Sequence, residues 1–218
     1  MPELFRSVTY RLYPTAGQEV ELRRLLESQR LLYNAALEER IGRWKWNQEQ
    51  VSKYDQQYQL TGAQDIIWSL NPFGTRVHDG TLSRLDEAFQ AFFRRARTGQ
   101  IPGFPRFQAH GRWDSVTYIG RQSWKVYVPE GRSGTYGRLR LQGVGHVQIK
   151  LHRSMGDAVP CKLVVRRRGR RWEATVFYKN VMPRPVPAPA GAAAGVDRGV
   201  TVLAAIAATA FKSVHPIE

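Results

Sequence analysis

The chain has 218 residues, 42% of them hydrophobic, and 33 Lys and Arg against 18 Asp and Glu give it a formal net charge of +15. That length and apolar content support a substantial core and exclude a disordered chain. The single cysteine, Cys161, excludes an internal disulfide and a cysteine-based zinc site within the chain. No apolar run reaches the roughly 18 residues of a membrane span. The first residues are charged and polar rather than a secretory leader, so a cytoplasmic location is expected. The charge is uneven: residues 91–180 hold 19 basic and 4 acidic side chains, while the remainder is balanced at 14 and 14. An excess confined to one region points to a polyanion-binding surface. Arginine suits that surface because its planar fork grips phosphate oxygens through two bonds. The bland alternative, arginine enrichment from a GC-rich genome, would not concentrate the excess.

Leu4 to Tyr13 alternate apolar with polar residues (Phe5, Val8, Tyr10 and Leu12 against Arg6, Thr9 and Arg11), which predicts a strand stopped by Pro14. Thr15 is placed to cap the following helix. Its apolar residues, Val20, Leu22, Leu25, Leu26, Leu31, Leu32, Ala35, Ala36 and Leu37, make a wide stripe whose periodicity persists to about Trp46. Residues 47–60, rich in glutamine and tyrosine, read as a helix or a helix–loop. Thr61 is expected to cap a second helix containing Ala63, Ile66, Ile67 and Leu70, ended by Asn71-Pro72. A third amphipathic helix from about Thr81 to Arg97 places Leu82, Leu85, Ala88, Phe89, Phe92 and Phe93 on one side. Arg94, Arg95 and Arg97 fill its last turn and Gly99 marks its end. Its phenylalanines read more simply as core than as base-stacking residues.

After the Pro-containing segment Ile101–Phe107 the pattern turns to strands: Ser115–Ile119, Trp124–Val128, Gly137–Leu141, His146–Leu151, Cys161–Arg168 and Arg171–Tyr178. Gly169-Arg170 joins the last pair as a tight hairpin. With the first strand these suggest an α+β fold, an antiparallel barrel or compact sheet with the helices inserted between strand one and strand two. Alternating prolines in Val181–Ala190 predict an extended linker. Beyond it, Ala194-Gly195-Val196-Asp197-Arg198-Gly199-Val200 sets one carboxylate where a short apolar strand turns. Magnesium and manganese prefer such oxygen ligands, although an acid between glycines is also a common turn.

The histidines, His78, His110, His146, His152 and His215, have no metal-binding spacing. The more informative group is basic: Arg106, Arg112, Arg121, Lys125, Arg138, Arg140, Lys150, Arg153, Lys162, Arg166, Arg167, Arg168, Arg170 and Arg171. Interleaved with them are Phe104, Phe107, Trp113, Tyr118, Trp124, Tyr127, Tyr136 and Trp172. Arginines fix phosphates while exposed aromatics stack on unpaired bases. The same alternation would also arise in an ordinary sheet with aromatics inside and arginines outside.

Three ordered anchors carry a family resemblance. The first is Tyr10-Arg11-Leu12-Tyr13-Pro14-Thr15 with Gln18, then Arg30-Leu31-Leu32-Tyr33-Asn34-Ala35-Ala36-Leu37-Glu38. The second is Ala88-Phe89-Gln90-Ala91-Phe92-Phe93-Arg94-Arg95, then Gly103-Phe104-Pro105-Arg106-Phe107. The third is Gly195-Val196-Asp197-Arg198-Gly199-Val200. With these the chain resembles the OrfB/TnpB proteins of bacterial insertion sequences, relatives of the type V CRISPR effector nucleases. The resemblance implies an RNA-guided DNA endonuclease architecture with guide-like RNA and target DNA as partners. It assigns 1–14 and 101–180 to a wedge-like barrel, 15–100 to a helical recognition bundle, 181–190 to a linker and 191–218 to the start of a RuvC-like, RNase H-fold domain. It also implies that Asp197 is the first catalytic, metal-binding carboxylate, with Mg2+ or Mn2+ as the ion of the complete enzyme.

Nucleic-acid contacts are then expected from Arg11, Tyr33, Asn34, Arg94, Arg95, Arg106, Arg121, Lys125, Arg138, Arg140, Lys150 and the Arg166–Arg171 hairpin. The family's later carboxylates and zinc cysteines are absent after Asp197, so binding without cleavage is expected of this chain. A stand-alone RNA- or DNA-binding regulatory or structural protein is the alternative.

Overall fold

The computed structural model describes residues 5–63, 71–128, 136–153, 158–179, 194–197 and 205–208. Strand β1 (Arg6–Tyr13) is followed by helices α1 (Ala16–Asn47), α2 (Lys53–Ala63) and α3 (Thr75–Arg97). Then come β2 (Ser115–Ile119), β3 (Trp124–Tyr127), β4 (Tyr136–Leu141), β5 (Gly145–Lys150), β6 (Val159–Arg168) and β7 (Arg171–Lys179). These seven strands form one sheet in the order β2-β6-β7-β1-β5-β4-β3, with every neighbouring pair antiparallel. β1 is therefore the central strand and the helices are an insertion between it and an edge strand. The edges, β2 and β3, are not paired with each other, so the sheet is an open half-barrel. This is the antiparallel sheet with inserted helices that the patterning predicts.

Period-two alternation decides which face is buried. Val8, Tyr10 and Leu12 of β1 point to the same interior as Leu139, Leu141, Val147, Ile149, Leu163, Val165, Ala174 and Val176. Leu22, Leu25 and Leu37 of α1 and Val77, Leu82 and Leu85 of α3 join them in one core. α3 crosses β2 so closely that a Cβ on Gly80 would stand 2.2 Å from the Thr117 carbonyl oxygen.

The start of α1 is tied down twice. The Thr15 hydroxyl accepts from the Gln18 amide at 3.3 Å, and the Gln18 side chain accepts from the Thr15 amide at 3.1 Å, a reciprocal cap. Gln18 Nε2 also donates to the His146 carbonyl at 2.8 Å, linking the helix to β5. Thr15→Ala is expected to cost about 1 kcal/mol of stability. Gln18→Ala, which removes half the cap and the tether, should cost more than Thr15→Ala. Urea unfolding checks both; midpoints equal to wild type would contradict the assignment.

Two helix boundaries differ from expectation. α2 begins at Lys53, and its cap is Ser52, whose hydroxyl accepts from the Asp55 amide at 3.2 Å while its own amide donates to Asp55 at 2.9 Å. Thr61 does not start a helix; it lies in the last turn of α2, where its hydroxyl donates to the Gln57 carbonyl. Ile66, Ile67 and Leu70 lie outside the described residues. α3 begins at Thr75 rather than Thr81, because Val77 and His78 extend its buried stripe by a turn. The strand limits agree with expectation to within two residues.

The chain divides into two units, Met1–Met182 and Pro183–Glu218. In the second, β8 (Ala194–Asp197) pairs antiparallel with β9 (Ala205–Ala208), and Asp197 stands opposite Ala205. The proline-rich segment 181–190 lies outside the described residues. Among those residues no helix is long and apolar enough to cross a membrane.

Candidate nucleic-acid interface

The face of the sheet opposite the core is set by the same alternation. Strand register converts residues distant in the chain into lateral rows. Arg11 of β1 stands opposite Lys150 of β5, which stands opposite Tyr136 of β4. One row along, Tyr13 pairs with Gln148, Gln148 with Arg138, and Arg138 with Tyr127. The next row runs His146, Arg140, Lys125. Every side chain in these rows is exposed except that of Tyr13, which is partly buried.

The cations and rings of this patch touch. The Arg11 guanidinium lies 5.0 Å from the Tyr13 ring centre, and the Lys125 ammonium 5.1 Å from that of Tyr127. Tyr13 meets Tyr136 edge-on at 5.5 Å, and Tyr127 meets His146 at 5.5 Å. Among the described residues, Arg11, Lys125, Arg138, Arg140 and Lys150 make no ion pair with a carboxylate. Glu173, opposite both Arg11 and Arg166, is the sole acid on the strands of the seven-stranded sheet. Their positive charge is therefore open to a polyanion.

Arg166 continues the Arg11–Lys150 row across Glu173, but the remaining basic residues extend the patch unevenly. Arg166 and Arg168 are exposed on the outer side of β6, but Arg166 is paired with Asp114 at 3.5 Å. Arg167 turns to the opposite face, beside buried Trp172, and its Nε donates to the Gly169 carbonyl at 3.1 Å. Arg171 stands opposite Arg168, and Arg170 occupies the exposed hairpin turn. Three consecutive arginines on a strand must divide between its faces. Arg121 lies in the β2–β3 turn, where it borders a hollow with Trp124, Lys125 and Pro160. Arg94, Arg95 and Arg106 are exposed at and beyond the end of α3.

Tyr33 and Asn34 are not available as contacts. Tyr33 is buried at 4% exposure with its ring 5.0 Å from Trp113. Asn34 spends both ends of its amide on the Gln108 backbone, accepting at 2.8 Å and donating at 3.0 Å. Arg30 donates to the same Gln108 carbonyl at 2.9 Å, and its bonds to Glu27 hold that carboxyl below the usual range. These α1 residues pin the segment before β2. Trp113, Tyr118, Trp124 and Trp172 are likewise core, whereas Phe104, Phe107, Tyr127 and Tyr136 are exposed.

Helical periodicity alone missed a second feature. Phe89, Phe92, Phe93 and Phe104 meet edge-on or stacked around an open groove of about 540 Å3 that Ile41 and Trp44 of α1 also line. Phe93 and Phe104 remain 48% and 46% exposed, so part of the expected core is a surface groove. Arg40 lies 5.2 Å over Phe89 and pairs with Asp86 at 3.2 Å at its margin.

Among the described residues, no three His, Cys, Asp or Glu side chains come together to hold a metal ion. The Asp197 side chain lies outside the described set, so no metal-dependent step is built on these residues.

The OrfB/IS605 family described as a helix-turn-helix domain matches residues 1–49, which hold β1, α1 and the left-handed turn at Gln48. A Streptomyces pristinaespiralis protein named "Putative RNA-guided DNA endonuclease" is 28% identical over 99% of this chain. The chain spans about half the length of that curated relative, 51% of it. A cryo-EM structure titled as a Cas12f1-sgRNA-target DNA complex aligns with 98% of this chain and 56% of its own, at 15% identity and a TM-score of 0.45. The ordered sequence anchors, the family match at the N-terminus and the similarity along nearly the whole length agree in what the chain resembles: the OrfB/TnpB proteins.

Proposed function

We propose that this chain is the nucleic-acid-binding portion of an RNA-guided DNA endonuclease, holding guide-like RNA against the outer face of its sheet. The observation that carries the reading is the patch of Arg11, Lys125, Arg138, Arg140 and Lys150, interleaved with Tyr13, Tyr127, Tyr136 and His146. Cations in that arrangement neutralise phosphates, and rings between them offer surfaces for bases that are not paired. The name of the curated relative supports the same class. Target DNA is the proposed second partner. DNA cleavage is proposed for the complete protein, with Asp197 as one of its carboxylates toward Mg2+ or Mn2+.

Salt dependence tests the location of binding. Log affinity for a structured RNA should fall linearly with log salt, and each of Lys125→Ala and Arg140→Ala should lower that slope by about 1. Arg43, whose charge is already paired with Glu49 at 2.9 Å, serves as the control. If Arg43→Ala lowered the slope as much as the sheet variants do, the interface would not lie on this face.

A further inference from the structure

The centre of the cationic patch is concave. Tyr127, Tyr136, Arg138, His146 and Gln148 border an open hollow of about 650 Å3, a size typical of small-ligand sites. Gln148, Arg138 and Tyr127 are consecutive members of one lateral row on three neighbouring strands. With strands about 4.8 Å apart, that row spans about 10 Å, enough to lie along a flat ring system. Tyr127 and Tyr136 remain 40% and 44% exposed, so part of each side chain is accessible to a stacking partner. Tyr127 leans across β4 to meet His146, while Tyr136 is steadied edge-on by Tyr13. The hollow holds no carboxylate, and Arg138 has no acidic partner among the described residues.

We propose that this hollow takes a single unpaired guanine from a bound single-stranded segment. This rests on the nucleic-acid reading above and names the feature of the strand that the site selects. A base in a duplex hides its faces, so tyrosines that stack on a base require an unpaired one. Arg138 can only donate, and its fork matches the adjacent O6 and N7 acceptors of guanine, where adenine puts an amino donor. Gln148, in the same row, donates or accepts at the remaining edge. Phosphates on either side fall to Lys125, Arg140 and Lys150, which surround the hollow in register.

The test is fluorescence anisotropy of the full chain with uridine oligonucleotides of about 12 residues carrying one central G, A or C, in RNA and DNA forms. The central-G strand should bind about tenfold more tightly than the central-A strand. Arg138→Lys keeps the charge but loses the fork, so it should abolish that preference while leaving the salt slope in place. Tyr136→Ala should weaken every strand by about tenfold. A preference in the RNA set alone would assign the site to RNA, and one in both sets to any single strand; either supports the proposal. Equal affinity for the G, A and C strands would overturn it and leave the broader nucleic-acid reading standing. Failure to bind any strand, with folding intact by circular dichroism, would overturn both.

Discussion

Replacing Gly80 with alanine is expected to destabilise the first unit by about 2 kcal/mol, although alanine is the better helix former. Two effects oppose each other at this position. Glycine inside a helix costs about 1 kcal/mol relative to alanine, so propensity alone predicts a gain. The added methyl group, however, would stand 2.2 Å from the Thr117 carbonyl oxygen and 3.1 Å from two more Thr117 atoms. A flexible side chain would swing away from that contact. A carbonyl in β2 is held by the pairing of Thr117 with Val164 and cannot do so without loosening the sheet edge. Gly42 of α1 is the matched control, because a Cβ there meets nothing within 4 Å. Gly42→Ala should gain about 0.5–1 kcal/mol. Urea unfolding of the two variants should therefore give shifts of opposite sign. A stabilised Gly80→Ala would mean that α3 does not pass β2 at this distance.

The strands were legible in the sequence. Alternation exposed the strands because one face of each is buried: Val8, Tyr10 and Leu12 on β1, and Leu139 and Leu141 on β4, repeat every second residue. Turn glycines such as Gly169, with φ of 61°, marked where they end. Helix limits were harder: within a polar stretch Thr61 was the expected cap, whereas the hydrogen bonds between Ser52 and Asp55 place it nine residues earlier. Tyr33, part of a family anchor, lies three and four residues before Ala36 and Leu37, on the buried stripe of α1.

The candidate site was legible as an inventory and not as an arrangement. Composition reveals an excess of arginine, but strand order decides which arginines are neighbours. Because β1 pairs with β5 and β5 with β4, Arg11 shares a row with Lys150 and Tyr136. Without that order, Arg167 looks equivalent to Arg138. In the fold, one faces buried Trp172 and the other sits in the open patch. The dense hairpin run therefore contributes less to the surface than its charge suggests. The thinly spread cations of β3, β4 and β5 contribute more.

Acid should destabilise the chain well above the pH at which its carboxylates titrate, with His78 as the cause. This histidine is fully buried in α3, and burial pushes its pKa from 6.5 down to about 4. The folded-state value lies below the unfolded one, so the unfolded chain takes up the proton first as pH falls. The neutral imidazole's contribution is complete above pH 6.5 and is lost progressively as pH falls from 6.5 towards 4. That difference corresponds to about 3 kcal/mol, using 1.36 kcal/mol for each pH unit of separation. Glu19 and Glu27 also have lowered pKa values, through hydrogen bonds from Arg23 and Arg30 respectively, but they lose stability only below their ordinary 4.5. Both are about one-third exposed to solvent, so screening reduces their effect. The interval from pH 6.5 to 4.5 therefore isolates His78. Urea unfolding at steps through that interval should show falling stability in the wild type and a flat profile in His78→Gln. The glutamine variant is expected to start from lower stability at pH 8, which shifts its curve without giving it a slope. An equally steep decline in both proteins would place the acid sensitivity elsewhere.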